Sequence, residues 1–173
     1  STTLRMLCGT LAPSRGQIRL AGLDLLEHPI EAKRQLGYLP EIPPVHPETT
    51  VQEYLTYAAT VRRLPRKQRQ AAVDRALALC DLGAVRRRLI RNLSKGFQQR
   101  VGIARAIVAQ PPLLVADEPT GNLDEATGDE VLSLALDLVQ RTGCGFLMAT
   151  HSTRLAARLD RRVMLASGVL VSS

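Results

Sequence analysis

Residues 93–124 read LSKGFQQRVGIARAIVAQPPLLVADEPTGNLD, and this stretch decides the fold. Its second half contains the apolar run 113–116, which has the length and composition of a strand buried on both faces. Two adjacent carboxylates, Asp117 and Glu118, follow the run directly. Ligands of open parallel sheets bind at the carboxyl ends of the strands, so the stretch predicts a polar site at one sheet edge.

The two carboxylates can have separate roles, because successive residues of a strand point to opposite faces. One of them can hold a hydrated Mg²⁺ ion, which prefers oxygen ligands. The other can accept a proton from an attacking water molecule. A strand end with two solvated acids is the simpler interpretation, and the pair alone does not decide between the two.

The first half of the stretch predicts a helix that begins at Ser94 and is stopped by Pro111 and Pro112. The Ser94 hydroxyl, the Lys95 ammonium and the free backbone N–H groups around Gly96 would face one anion at the positive end of the helix dipole. An ordinary N-cap by Ser94 explains the same residues. Both interpretations stay open at this point.

Strands and helices alternate on the C-terminal side of this stretch. The pattern predicts a helix over 124–143, a buried strand over 145–151, a short helix over 152–160, and a strand or hairpin over 161–171. Apolar strands that alternate with helices are typical of a parallel sheet covered on both faces. His151 ends the second strand, so it would lie at the same sheet edge as the two carboxylates.

The N-terminal side combines short strands with amphipathic helices. The strands are predicted over 16–22 and 34–40, and the helices over 50–64 and 66–80. Thr50 and Glu53 form a capping-box pattern at the start of the first of these helices. We therefore predict one domain over 1–173, with a helical subdomain inserted from about 46 to 110.

The chain has 173 residues and a net charge of +7, which suits one domain with a basic surface. The basic residues gather at 62–69 and 86–91, and a solvated, Arg-rich helical surface is the favoured interpretation; nucleic acid and an anionic membrane surface are the alternatives. No aromatic residue is interleaved with them for stacking on bases, which makes nucleic acid the less favoured partner. Three cysteines without metal-ligand spacing favour reduced thiols.

Taken together in order and spacing, these motifs resemble the nucleotide-binding domain of ATP-binding cassette (ABC) transporters. The opening stretch is similar to the signature motif, Walker B strand and D-loop of that family, ATHS at 149–152 to its H-loop, and LGYLPE at 36–41 to its Q-loop. The resemblance covers essentially the whole chain. It implies an α/β fold of the P-loop NTPase (RecA-like) type, with a parallel sheet core and an inserted helical subdomain.

The resemblance also implies a mechanism at the sheet edge. Asp117 would hold Mg²⁺ through water, Glu118 would be the general base for attack on the γ-phosphate of ATP, and His151 would contact that phosphate. ATP and Mg²⁺ are thus the implied cofactors, and ATP hydrolysis is the implied activity. Catalysis of this kind depends mainly on positioning and electrostatics.

Three further residues match phosphate-binding or metal-binding positions of the family. Ser1 matches the serine that follows the P-loop lysine and ligates Mg²⁺, and Thr2 matches the next residue, near the α-phosphate. Glu41 stands where the Q-loop usually has Gln; its carboxylate can coordinate Mg²⁺ but adds negative charge beside the triphosphate. The Gly-rich loop would precede Ser1, so we expect a chain that begins within the Walker A motif and binds ATP poorly by itself.

Partners are implied by the same resemblance. Ser94, Lys95 and Gly96 would bind the γ-phosphate of ATP held by a second ABC ATPase subunit in a head-to-tail dimer, and Asp124 in the D-loop would link the two sites. The family usually has LSGGQ, so Lys95 and Phe97 depart from its pattern. The dimer would drive a transmembrane permease, which implies a cytoplasmic protein held peripherally on the inner face of the cell membrane.

The motifs of the chain mix two branches of the family. Up to Ala116 the pattern resembles ATPases of ABC-2-type and multidrug exporters, whereas TGNLD is more typical of lipoprotein-release and macrolide-efflux ATPases. Both types imply export. The Pro-rich segment 42–54 is expected to form a groove for a helix of the permease, with Glu53 and Tyr54 coupling transport to hydrolysis.

Two alternatives remain. A soluble ABC ATPase that acts on ribosomes or nucleic acid would have two tandem cassettes or long coiled coils, which the single compact insertion disfavours. A non-hydrolysing regulatory ABC subunit is suggested by the departures at Glu41 and Phe97.

Overall fold

A three-stranded parallel sheet, in the order β3–β4–β5, lies at the centre of the computed structural model, which describes residues 2–166 and 168–172. The predicted α/β class with a parallel sheet is therefore confirmed. In chain order the elements are α1 (Thr2–Leu7), β1 (Arg19–Leu20), β2 (Leu23–Asp24), α2 (Pro29–Arg34), β3 (Leu36–Leu39), α3 (Val51–Val61), α4 (Arg66–Leu79), two 3₁₀ turns (Gly83–Val85 and Ile90–Asn92), α5 (Lys95–Ile107), β4 (Leu113–Asp117), α6 (Glu125–Thr142), β5 (Gly145–Ala149), α7 (Thr153–Ala156), β6 (Val163–Ala166) and β7 (Val169–Ser172).

The register of the parallel strands aligns their carboxyl ends. Leu39 pairs with Ala116, and Asp117 pairs with Ala149. Central strand β4 is buried from its second residue onward, as its continuous apolar run predicts. The strand predicted over 145–151 is present as β5, but its predicted burial is wrong, because β5 lies at the sheet edge of the described residues and is half exposed.

Helix α5 lies directly on the sheet because two glycines let the backbones approach each other. A Cβ atom at Gly37 in β3 would clash with the carbonyl group of Ala106 in α5. A Cβ atom at Gly102 in α5 would lie 2.8 Å from side-chain atoms of Leu39 and Pro43. The position of α5 on β3 therefore depends on the absence of a side chain at both glycines.

Helices α3, α4 and α5 share one hydrophobic core with the sheet. At the start of α3, the Thr50 hydroxyl accepts a hydrogen bond from the backbone N–H of Glu53, at 3.2 Å. The Glu53 carboxylate in turn accepts one from the backbone N–H of Thr50, at 2.8 Å. This is the predicted capping box, and because its bonds favour the charged carboxylate, the pKa of Glu53 is lowered.

The long helices agree with prediction, and the short elements differ from it. The strand predicted over 16–22 is reduced to the two-residue strands of the β1–β2 hairpin, and the helix predicted over 152–160 is only the single turn α7. Of the strand or hairpin predicted over 161–171, the described residues form β6 and β7, which pair antiparallel. Helix α2 and the two 3₁₀ turns were not predicted, because elements of three to six residues are too short to show a period.

Within the described ranges, no helix combines the length and the hydrophobicity that a membrane crossing requires. The three cysteines are free thiols, as their spacing predicts; Cys8 and Cys80 are buried, and Cys144 is half-buried. Burial, and then the nearby charge of Asp117, raises the pKa of Cys8 to about 12. Burial raises the pKa of Cys80 as well.

Candidate active site

The ends of β4 and β5 meet at one edge of the sheet. Asp117 is the last residue of β4, and Glu118 follows it with a positive φ of 46°. The backbone N–H of Glu118 donates to the carbonyl oxygen of Ala149, the last residue of β5, at 2.9 Å. This bond fixes the start of the loop that follows β4 beside the neighbouring strand.

The side chains of Glu118 and His151 come together at this edge, as predicted. His151 Nε2 lies 3.5 Å from Glu118 Oε1, with the His151 side chain 99% exposed and the Glu118 side chain 21% exposed. A carboxylate that water can reach, next to an imidazole open to solvent, is a suitable arrangement for general-base chemistry on a bound ligand. We call Asp117, Glu118 and His151 the strand-end site.

Asp117 is the buried member of the strand-end site, only 6% exposed. The hydroxyl of Tyr38 in β3 donates to its Oδ2 atom at 3.4 Å. Burial, and then the charge of Asp117, raises the pKa of Tyr38 to about 12, so the phenol stays protonated and remains a donor at neutral pH. Sequence reasoning missed Tyr38, although it lies near the end of a strand beside LLVAD.

The strand-end site fits a hydrated divalent cation bound together with a phosphate ligand. Asp117 supplies carboxylate oxygens, the donor type that Mg²⁺ prefers. Across 2–166 and 168–172, no three or more His, Cys, Asp or Glu side chains are grouped so that they could hold a metal ion themselves. Mg²⁺ usually takes one or two carboxylates, keeps several waters and binds substrate phosphates, so this donor set suits it.

Glu41 lies beside the loop that follows β4. Its Oε1 atom accepts a hydrogen bond from Asn122 Nδ2 at 3.3 Å. A Cβ atom on Gly121 would be 3.4 Å from that oxygen and 3.5 Å from Glu118 Cβ, so Glu41 and Glu118 flank the same glycine. The structure thus brings Glu41 to the neighbourhood of the strand-end site. Asn122, its partner, was not identified from the sequence.

Ser94, Lys95 and Gly96 lie at the N-terminus of α5. The Ser94 hydroxyl accepts a hydrogen bond from the backbone N–H of Phe97 at 3.4 Å, so the N-cap is present. Lys95 is exposed, whereas Gly96 is buried, and a Cβ atom there would lie 2.6 Å from Thr127 Cγ2 in α6. In the described part of the chain, none of the three forms an ion pair or hydrogen bond with Glu118 or His151.

Phe97, which departs from the family pattern, is held by its own helix. The Arg100 guanidinium lies over the Phe97 ring, 5.3 Å from its centroid. Arg100 is fixed in turn by ion pairs with Asp81 at 3.2 Å and Glu130 at 3.3 Å. The aromatic side chain is thus part of a cation–π and ion-pair network at the first turns of α5.

Asp124 and Thr2, two further predicted site residues, lie at the N-termini of helices. Asp124 caps α6, and its carboxylate accepts a hydrogen bond from the backbone N–H of Thr127 at 3.0 Å. The hydrogen bonds from Thr127 lower the pKa of Asp124. Thr2 is the exposed first residue of α1, and Ser1 lies outside the described residues.

A groove of about 200 Å³ runs beside α3. The Tyr54 hydroxyl donates to the Pro44 carbonyl oxygen at 2.6 Å, and the ring is buried. Glu53 and Tyr54 thus have structural roles, in the capping box and in the core, so exposed Tyr57 is a better probe of the groove. The lining residues are Pro44, His46, Tyr54, Tyr57, Ala58, Val61, Arg62 and Arg105.

The fold and the strand-end site place the chain in the class of P-loop NTPases. The family model described as "ABC transporter" matches residues 1–121, which is more than half of the chain. The chain therefore belongs to the ABC transporter family.

Similar proteins cover nearly the whole chain. The lipoprotein-releasing system ATP-binding protein LolD of Oleidesulfovibrio alaskensis is 37% identical over 175 residues, which are 98% of this chain and 76% of that protein. LolD of Shewanella sp. strain MR-4 is also 37% identical, over 177 residues and the same shares of both chains.

Two solved structures share the fold. One is cbiO1 from Clostridium perfringens, described as part of the ABC transporter complex cbiONQ, with a TM-score of 0.77, 25% identity and 87% of this chain covered. The other is an ATP-binding subunit of an ABC transporter, with a TM-score of 0.74, 30% identity and 91% covered. The present chain spans 62% and 65% of those two chains, less than two thirds of each.

Proposed function

We propose that this protein is the ATP-binding and ATP-hydrolysing subunit of an ABC transporter. The observation that carries the proposal is the strand-end site. There, Glu118 directly follows buried Asp117 in the sequence, and its Oε1 atom lies 3.5 Å from His151 Nε2. Membership of the family and the similarity to ATP-binding proteins of lipoprotein-releasing systems support it.

In the proposed mechanism, Glu118 accepts the proton of the water that attacks the γ-phosphate of ATP, and exposed His151 contacts and orients that phosphate. Asp117 would hold a hydrated Mg²⁺, and Tyr38 fixes the orientation of the Asp117 carboxylate by its hydrogen bond. Mg²⁺, when bound, neutralises charge on the phosphate oxygens. Glu41 reaches the same region from the end of β3, and its carboxylate would be a further Mg²⁺ ligand, next to the phosphates through the metal.

A second ABC ATPase subunit completes the proposed site. Ser94, Lys95 and Gly96 would face the γ-phosphate of ATP on that subunit, in a head-to-tail dimer, and Asp124 would link the two sites. Exposed Lys95 and the positive N-terminal end of the 13-residue helix α5 favour an anion. Within the described residues they form no ion pair or hydrogen bond with Glu118 or His151, as is expected of groups that serve the site of another subunit. Ser1 and Thr2 would complete the nucleotide site from the start of the chain.

We also propose that the groove beside α3 receives a helix of a transmembrane permease, which holds this subunit at the cytoplasmic face of the membrane. Exposed Tyr57 and Val61 at the groove support a protein contact there. The helices between about 46 and 110 would form a helical subdomain of the single domain over 1–173. Transport is proposed to be outward, since the LolD relatives are named for lipoprotein release. If Tyr57→Cys cannot be cross-linked to a co-expressed permease, the groove proposal is wrong.

The decisive experiment measures ATP hydrolysis and ATP binding, with Mg²⁺, by the purified chain after a Gly-rich phosphate-binding loop has been joined ahead of Ser1, because we expect poor ATP binding without that loop. Removal of a general base typically lowers the rate by about 10²–10⁴-fold, so Glu118→Gln should lose hydrolysis to that extent and retain binding. Exposed Glu27→Gln, which removes the same charge, is the matched control and should have the wild-type rate.

Two results would contradict the proposal. Equal rates for Glu118→Gln and Glu27→Gln would show that Glu118 is not the base. ATP binding without hydrolysis by the unsubstituted chain would favour the non-hydrolysing regulatory subunit, for which the departures at Glu41 and Phe97 argue.

A further inference from the structure

The turn between α3 and α4 concentrates positive charge. Its five cations lie within residues 62–69, and no acidic residue occurs anywhere from 54 to 73. We call this segment the basic turn. The cations are Arg62, Arg63, Arg66, Lys67 and Arg69.

Two of these cations fix the basic turn to the body of the protein. Arg62 Nη1 donates to the carbonyl oxygens of Lys33 at 2.8 Å and Leu36 at 3.0 Å. Arg69 Nε donates to the carbonyl oxygen of Leu64 at 2.8 Å. The turn is therefore held in a defined position at the end of α2 and the start of β3, and its other cations project from an ordered backbone.

The three remaining cations, Arg63, Arg66 and Lys67, are exposed and form no ion pair with any described residue. Other arginines of the chain differ: Arg91 pairs with Glu48 at 2.9 Å, and Arg154 pairs with Asp129 at 2.6 Å. Several arginines elsewhere in the protein are thus paired with carboxylates, whereas the three exposed cations of the basic turn are not paired with any described residue.

Local backbone structure opposes cations at this turn. Arg66 and Lys67 lie in the first turn of α4, where the helix dipole is positive and no acidic residue compensates it. Arg63 has a positive φ of 58°, which is unfavourable for a residue with a side chain. An external anion bound here would relieve the repulsion among these charges.

Exposed apolar side chains adjoin the basic turn. Tyr57 and Val61, on the last turns of α3, are 54% and 61% exposed. Both line the groove together with Arg62, so the cations and the apolar side chains belong to one continuous surface. A tyrosine and an aliphatic side chain beside several cations suit the headgroup region of a bilayer, where apolar and charged groups meet.

We propose that the basic turn binds the headgroups of anionic phospholipids at the membrane surface. Nucleic acid is the less suitable anion, because no aromatic side chain is interleaved with the cations: Tyr57 lies outside the basic turn, and no Phe, Tyr or Trp occurs from 58 to 96. The inference goes beyond the proposed function and rests on it in one respect, namely that the groove faces the membrane. Lipid contact would orient the subunit before or during its contact with the permease.

The experiment is cosedimentation of the full chain with vesicles, without nucleotide. One set contains phosphatidylcholine with about one third phosphatidylglycerol, and the other contains phosphatidylcholine alone. The test variant is R63Q/R66Q/K67Q, and the control is R15Q/R19Q/R161Q, at three exposed arginines outside the helical region. Each variant removes three positive charges from a net charge of +7.

The wild-type chain and the control should sediment with the anionic vesicles only, and less so as salt is raised from about 0.1 to 0.5 M. Each cation near an anionic surface contributes roughly fivefold to binding, so the test variant should bind about a hundredfold more weakly. Equal binding by the test and control variants would overturn the proposal, and so would equal binding to both vesicle types. Preference for duplex or single-stranded nucleic acid over anionic vesicles would assign the surface to nucleic acid instead. Since no nucleotide is present, these results are independent of the Glu118→Gln test.

Discussion

One methyl group added at Gly37 tests how β3 and α5 are joined. The new Cβ atom would clash with the carbonyl group of Ala106 and lie 3.1 Å from Cγ of Pro111. These are backbone and ring atoms that cannot move aside as a flexible side chain can, so β3 and α5 would have to separate. Overpacking of this kind costs about 1–3 kcal/mol, and the lower entropy of the unfolded chain offsets only about 0.4–1 kcal/mol.

Since the Cβ atom would meet backbone atoms, the upper end of the overpacking cost applies; we therefore expect Gly37→Ala to lower the free energy of unfolding by about 2 kcal/mol net, and Tm by roughly 4–8 °C in a chain of this size. Urea unfolding followed by far-UV circular dichroism measures the change in the free energy of unfolding, and thermal unfolding measures the change in Tm. Gly83→Ala is the matched control, because a Cβ atom at Gly83 meets nothing within 4 Å; it should stabilise the chain by about 0.5 kcal/mol. Wild-type stability of Gly37→Ala, or equal shifts of both variants, would refute the argument from close approach.

Further predictions concern the capping box and the thiols. Thr50→Ala should lower the free energy of unfolding by about 1 kcal/mol in urea unfolding, and no change would show that the cap is not formed in solution. The pKa of Glu53 in the folded chain lies below its ordinary value of 4.5. The charged carboxylate therefore contributes to the free energy of unfolding above pH 4.5, and this contribution is lost as pH falls through the folded-state pKa. The destabilisation by Thr50→Ala should shrink over the same pH range. A maleimide should label Cys144 first in the folded chain, because burial raises the pKa of Cys8 to about 12; mass spectrometry showing equal labelling of all three thiols would contradict this.

The parts of the fold that could be predicted are those whose signals lie within a short stretch of chain. The apolar run of β4 ends in two acids, and α3, α4, α5 and α6 are long enough to show an apolar period or a recognisable cap. The convergence of Glu118 and His151 also follows from local patterns, since each lies one or two residues beyond the carboxyl end of a strand of one parallel sheet. Two neighbouring parallel strands with aligned carboxyl ends suffice to bring these side chains together.

The parts that could not be predicted depend on register and loop path. Tyr38 donates to Asp117 across 79 positions of sequence, and Asn122 donates to Glu41 across 81. Whether such side chains meet depends on the exact alignment of β3 with β4 and on the course of the loop after β4. The exposure of β5 likewise depends on what lies beside it rather than on its own apolar composition.

The left-handed backbone of Glu118 places folding in opposition to the catalytic role that we propose for this residue. A non-glycine residue in that conformation costs about 1–2 kcal/mol, so thermodynamic stability by itself would favour Gly there. Laboratory evolution for heat resistance alone, without any demand on activity, should therefore replace Glu118 early. Selection that also requires turnover should retain the carboxylate and find its stabilising substitutions at other positions.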